Sequence, residues 1–231
     1  MTARFGAING KRKGAPTKMQ PRALLSSCAL ACALGPLALA PLARADDAHS
    51  FIEQEHTRLL QLLHQPPSGS RDSEVDQALD DFVDYEELTH RAFGEPCPVT
   101  VPSCEDLWGK YDEKQKHELK DLLAQLVRKS YRKNLTKTLD YDVSYRGSRD
   151  SGEDTRVLTE AKSKSNAHEP AVRVDYVVKQ TPHGYRVVDI VTEGSSLTKN
   201  YYEQFRKKMD NPNDGYPNIV QKLREKITKK D

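Results

Sequence analysis

The chain has 231 residues, 36 Lys or Arg against 34 Asp or Glu, and a mean hydropathy of −0.76. That length supports one domain with a substantial core. Residues 1–45 carry seven of the bases and no acid, so residues 46–231 hold 29 bases against 34 acids, a net charge of −5. This balance removes any general electrostatic reason to bind nucleic acid or an anionic membrane.

The N-terminal segment reads as a cleaved secretory signal. A basic stretch with Arg4, Lys11, Arg12, Lys13, Lys18 and Arg22 precedes an Ala- and Leu-rich run from Leu24 to Leu42, and Ala43-Arg44-Ala45 supplies an A-x-A site before Asp46. Two other readings of the segment are a membrane anchor, against which Pro36 and Pro41 interrupt the run, and a lipoprotein signal at Cys28, which almost no apolar stretch precedes. Residues 46–231 are expected to form a single exported domain. Cys97 and Cys104 are the cysteines left in it, and in an oxidising compartment they are expected to pair. A C-x6-C spacing is not a zinc pattern, so the pair reads as a structural staple.

Within the domain, Asp47–His64 presents an amphipathic helical face with Phe51, Ile52, Leu59 and Leu63. Residues 65–70, with two Pro and a Gly, form a link, and Asp72 or Ser73 is the expected cap of a second helix carrying Val75, Leu79 and Phe82. A third short helix runs from Asp84 to about Phe93 and stops at Gly94. Residues 95–107 are a Pro-rich loop closed by the two cysteines. Asp112–Leu139 is the longest periodic segment, with Leu119, Leu122, Leu123, Leu126, Val127, Tyr131 and Leu135 on one face. Its other face holds Lys116, Lys120, Arg128, Lys129, Arg132 and Lys133, either a solvated row or a docking surface for an acidic partner or lipid headgroup.

Four strands follow. Tyr141, Val143 and Tyr145 alternate on the first, and Thr155, Val157, Thr159 and Ala161 on the second. Val172, Val174, Tyr176 and Val178 alternate on the third, and Tyr185–Val191 forms a fourth with apolar residues on both faces. Pro182-His183-Gly184 turns between the last two, Ser195 or Ser196 caps a helix with Leu197, Tyr201, Phe205 and Met209 on one face, and a terminal helix carries Ile219, Val220, Leu223 and Ile227. Short connections imply an antiparallel meander. The fold class is α+β: a curved four-stranded antiparallel sheet against a layer of several helices.

Catalytic signatures are sparse. The seven His residues are scattered, no metal-ligand or nucleophile-elbow spacing occurs, and no cofactor is implied. Asp189 is a carboxylate inside an apolar strand, and strict alternation puts it on the face of Val187 and Val191. There it is either a paired structural acid or the general base of an exported cone-sheet enzyme.

The order strand, Gly184-Tyr185-Arg186-Val187-Val188-Asp189, then Glu193-Gly194-Ser195-Ser196-Leu197, then Asn200-Tyr201-Tyr202-Glu203-Gln204-Phe205 resembles the MlaC family of periplasmic phospholipid-transport proteins. The resemblance implies a cavity between sheet and helices that holds the acyl chains of a phospholipid, with no covalent chemistry. Its walls would be the inward positions Trp108, Leu123, Val127, Tyr131, Tyr145, Val172, Val174, Tyr176, Val187, Val191, Leu197 and Tyr201. The implied partners are an inner-membrane ABC transporter with a lipid-binding ring and an outer-membrane lipoprotein–porin assembly. Gly94 and Trp108 match positions that lie close together in the family, so residues 95–107 read as an insertion. A lipid-free periplasmic adaptor is a further reading of the same chain.

Overall fold

The structure is a computed structural model that describes residues 40–98, 101–211 and 215–229, with side chains from Ala45 onward. The expected signal segment before Ala40 lies outside the described residues. Helix α1 spans Ala40–His64 and so runs across the expected Ala45–Asp46 junction. Helix α2 spans Gly69–Phe82. Its cap is Ser68, whose Oγ accepts the Arg71 N–H at 3.1 Å, rather than Asp72 or Ser73. Pro66 and Pro67 end the link, and the first residue after them with a capping hydroxyl starts the helix.

Helix α3 covers Tyr85–Ala92 with Asp84 as its cap, and α4 covers Glu113–Thr138. Asp112 and Gln115 form a reciprocal capping box at the start of α4, with N–H to oxygen distances of 2.8 and 3.0 Å. At 1.5 Å per residue the 26 residues of α4 extend about 39 Å. Between α3 and α4 the Cys97–Cys104 disulfide closes the Pro-rich loop. The loop is pinned at its base, where the Phe93 carbonyl accepts the N–H groups of Leu107 and Trp108. Gly94 has φ +86°, and a Cβ there would stand 2.5 Å from the Glu105 carbonyl oxygen, so only glycine fits that pinch.

The sheet is antiparallel in the order β1 (Tyr141–Ser151), β2 (Asp154–Ser163), β3 (Val172–Thr181), β4 (Gly184–Thr192) and β5 (Ser195–Ser196). The two-residue β5 is a fifth strand beyond the four expected, too short to show a period of two. The chain then enters α5 (Leu197–Met209) and ends in α6 (Tyr216–Thr228).

Two irregularities interrupt the ladders. Tyr145 pairs with Thr159 but Ser148 with Val157, and Val178 pairs with Val187 but Val177 with Asp189. The second leaves Val188 without a pair and reverses the facing of every residue beyond it. Val187 therefore faces the main core, while Asp189 and Val191 share the opposite face with Val177. Val177, Val188 and Val191 form a separate buried cluster there. The expectation that Asp189, Val187 and Val191 share one face fails at this bulge.

The basic row of α4 is largely neutralised within the molecule. Arg128 binds Asp80 of α2, Arg132 binds Asp76 at 3.0 Å and Asp72 at 3.3 Å, and Lys120 approaches Glu86 of α3. These exposed pairs orient α2 on α4 and each contributes at most about 1 kcal/mol.

Candidate functional site

The inward face of the sheet divides into two halves. At one end Val157, Val178 and Val187 pack into the continuous core with Val83, Phe82 and Leu79. At the other end the helices stand off, and a cavity of about 440 Å³ opens between the sheet, α1, α4 and α5. That volume lies in the ordinary range for ligand pockets.

The sheet contributes Val143, Tyr145, Thr159, Ala161, Val174, Tyr176, Ile190 and Thr192 to its wall. Helix α1 contributes His56 and Leu60, α4 contributes Val127, Tyr131, Leu135 and Thr138, and α5 contributes Leu197 and Tyr201. The exposed residues of the lining, Ser130, Asn134, Thr192, Ser195 and Asn200, are all polar and mark the mouth.

An aromatic partition separates the cavity from the core. Phe82 is fully buried, and the rings of His56, Tyr131 and Tyr176 lie 5.9, 5.9 and 6.0 Å from it, with His56 edge-on to Tyr176 at 4.8 Å. His56 Nδ1 shares a hydrogen bond of 3.0 Å with the Tyr145 hydroxyl. Burial pushes the His56 pKa down to about 4, so the ring is neutral at physiological pH. Burial raises the Tyr176 pKa to about 12 and the Tyr131 and Tyr145 values as well. The Tyr131 and Tyr176 hydroxyls lie near enough to influence one another, although the Tyr131 oxygen lacks a partner in hydrogen-bond geometry. The floor is thus aromatic and uncharged, suited to apolar cargo rather than to proton transfer.

Seven of the positions anticipated from sequence stand on the cavity wall: Val127, Tyr131, Tyr145, Val174, Tyr176, Leu197 and Tyr201. Five do not. Trp108 begins a short 3₁₀ turn and packs on His90 and Phe93 at 4.8 and 5.6 Å, far along the chain from the mouth. Leu123 is fully buried in the core, because only the C-terminal half of α4 borders the cavity. Val187 lies in the closed half of the sheet and Val191 on its other face. Val172, half-buried, shares the face of Val174 but sits one inward position beyond it.

Several wall residues were missed. Val143, Thr159 and Ala161 follow the same alternation that marks Tyr145. His56 continues the Ile52–Leu59 stripe of α1. Ile190 and Thr192 were concealed by the bulge at Val188.

Asp189 is absent from the cavity. Its Oδ1 accepts the N–H groups of Thr198 and Ile190, both at 2.9 Å, and its Oδ2 accepts the Ser196 hydroxyl at 2.6 Å. Burial raises its pKa, while these hydrogen bonds oppose the shift. Among the described residues no group of three or more His, Cys, Asp or Glu is placed to hold a metal ion, and no helix is long and apolar enough to cross a membrane.

The sequence profile of the family described as "MlaC protein" matches residues 53–225. The chain belongs to the MlaC family. Among solved structures, a phospholipid-binding protein from Ralstonia solanacearum, in complex with a phospholipid, superposes with a TM-score of 0.62 at 22% identity. The match covers 78% of this chain and 97% of that one. At such identity the likeness speaks for the MlaC fold alone. No curated protein matches the chain.

Proposed function

We propose that this protein binds the acyl portion of a phospholipid in the cavity and carries it through the periplasm, without covalent chemistry. The observation that carries the reading is the apolar chamber between sheet and helices, roofed by α4 and closed below by the aromatic partition around Phe82. Membership of the MlaC family and the likeness to a fold that holds a phospholipid support it.

The physical need for such a carrier follows from hydration. A buried methylene is worth about 0.8 kcal/mol, so two acyl chains in water cost on the order of 20 kcal/mol. A membrane and a protein chamber are both apolar, so exchange between them is nearly balanced in free energy. The shuttle reading places an ABC transporter with a lipid-binding ring at the inner membrane and a lipoprotein–porin assembly at the outer one. It also requires export, with cleavage after Ala45.

The test is native mass spectrometry and lipid extraction on protein isolated from the periplasm. The expected result is a chain beginning at Asp46 that carries phospholipid in stoichiometric amount. A lipid-free protein overturns the carrier reading, and a diacylated Cys28 overturns the proposed processing.

A further inference from the structure

The lip of the cavity is positively charged on one side. Ser130 and Asn134, where α4 meets the mouth, also line an adjoining groove of about 230 Å³ that leads to α6. Lys129, Lys133, Lys226 and Lys229 complete this groove with Leu126, and no Asp or Glu is among the described residues that line it. Tyr201 joins the two spaces: its ring lines the cavity, and the Lys226 ammonium stands 5.6 Å from its centroid.

The partners of Lys129 and Lys226 differ from those of the arginines of the α4 row. Arg128 and Arg132 are paired with carboxylates of α2. Lys129 Nζ donates to the carbonyls of Ile227 and Lys229 at 2.8 and 2.5 Å and closes the end of α6. Lys226 donates to the Gln204 side-chain oxygen at 3.2 Å, and among the described residues neither Lys226 nor Lys229 forms an ion pair. Among the described residues, Lys226 and Lys229 thus bring cationic charge beside the mouth of an apolar cavity, in a domain whose net charge from residue 46 onward is −5.

We propose that this lysine rim binds the anionic headgroup of the lipid in the cavity, so that the protein takes lipids of net negative charge in preference to zwitterionic ones. The inference rests on the lipid-binding reading above. Acyl chains held in the cavity fix the headgroup phosphate near the mouth, within the field of Lys226 and Lys229. A zwitterionic headgroup brings its own ammonium and cancels that attraction, whereas an anionic one keeps it. A soluble phosphate offers the same charge without the apolar anchor, and exposed ion pairs alone hold it weakly.

The experiment presents the purified protein with vesicles equimolar in phosphatidylglycerol and phosphatidylethanolamine of identical acyl composition. Both lipids then come from one surface, and the lipid retained after repurification is counted by mass spectrometry. The expected result is a preference of about tenfold for phosphatidylglycerol, as two exposed ion pairs supply. A Lys226→Gln/Lys229→Gln variant should carry the same total lipid at a ratio near one, and Lys226→Arg/Lys229→Arg should keep the preference. Excess glycerol 3-phosphate at fixed ionic strength should leave the ratio unchanged. Equal loading by the wild type, or preference retained in the Gln variant, overturns the headgroup site and leaves the carrier reading standing. Collapse of the ratio by glycerol 3-phosphate makes the rim a soluble-anion site and also overturns it. A wild type that takes up no lipid overturns both readings.

Discussion

Asp189 Oδ1 accepts the backbone N–H of Thr198 at 2.9 Å, so a carboxylate on β4 closes the first turn of α5. Ser196 strengthens the junction: its hydroxyl donates to Asp189 Oδ2 and accepts the Lys199 N–H at 3.1 Å. A helix N-terminus presents unsatisfied N–H groups and a positive dipole end, and a buried carboxylate answers both.

Asp189→Ala should therefore destabilise the fold by about 2–3 kcal/mol, combining loss of the cap with a buried Thr198 N–H left unpaired. Asp189→Asn, which keeps an acceptor oxygen, should cost about half as much. Urea denaturation of the three proteins measures this. If Asp189 were a catalytic base with no structural duty, Asp189→Asn would be neutral in stability.

This junction also shows what a sequence conceals. The strand itself was legible, because Val187, Val188, Ile190 and Val191 are unmistakably β-forming and apolar. The bulge at Val188 was not, since one unpaired residue has no composition of its own, and it moved Val191 off the cavity face and Ile190 onto it. On α4 the apolar stripe was read correctly along its whole length, yet nothing in periodicity tells a packed stripe from a cavity wall. Leu123 and Val127 differ in what stands opposite them, and that is decided by elements far away in sequence. The short α5, by contrast, was legible down to its bounds, because Ser196 caps it and Leu197, Tyr201 and Phe205 mark one face.

The stability of the protein should fall with pH through His56. This imidazole titrates near 4 in the folded protein, against about 6.5 when unfolded, because burial disfavours its charged form. Between those values the unfolded chain binds the extra proton, so the contribution is fully present above pH 6.5 and is lost as pH falls toward 4. From pH 7.5 to 5 the loss due to this group is on the order of 2 kcal/mol. In His56→Phe, which keeps an aromatic ring against Phe82 and Tyr176, the pH dependence should be shallower by that amount. Parallel curves for the two proteins would mean that His56 is accessible to protons in the folded state.

The Cys97–Cys104 bridge closes a loop with a sequence separation of 7, whose chain-entropy contribution is roughly 2 kcal/mol. Thiol labelling of the denatured, unreduced protein, isolated after export, should find no free thiol in the chain from Asp46 onward if the proposed export holds. Cys97→Ser/Cys104→Ser should lower stability by roughly 2 kcal/mol and leave lipid content unchanged, because the loop does not border the cavity. Loss of lipid in that variant at unchanged stability would place the loop in the binding function.

Val174 offers the sharpest separation of chamber from core. It lies near the start of β3 on the cavity wall, half-buried, opposite Thr192 at the mouth and next to Tyr176 at the floor. Val174→Trp places an indole in the space an acyl chain would occupy, and since that space is a cavity of about 440 Å³, the ring fits without displacing the sheet. The variant should melt close to wild type and purify with little or no phospholipid. In a close-packed core the same change would overpack and cost about 1–3 kcal/mol. Val174→Asp adds a second criterion: beside a water-filled opening its carboxylate stays ionised and the fold survives with a modest loss, whereas in a dry core an unpaired carboxylate would unfold the domain. Thermal melting and lipid extraction on both variants give four measurements. Two folded, lipid-free variants are the expected outcome, and folded variants that retain wild-type lipid would move the binding site away from this face of β3.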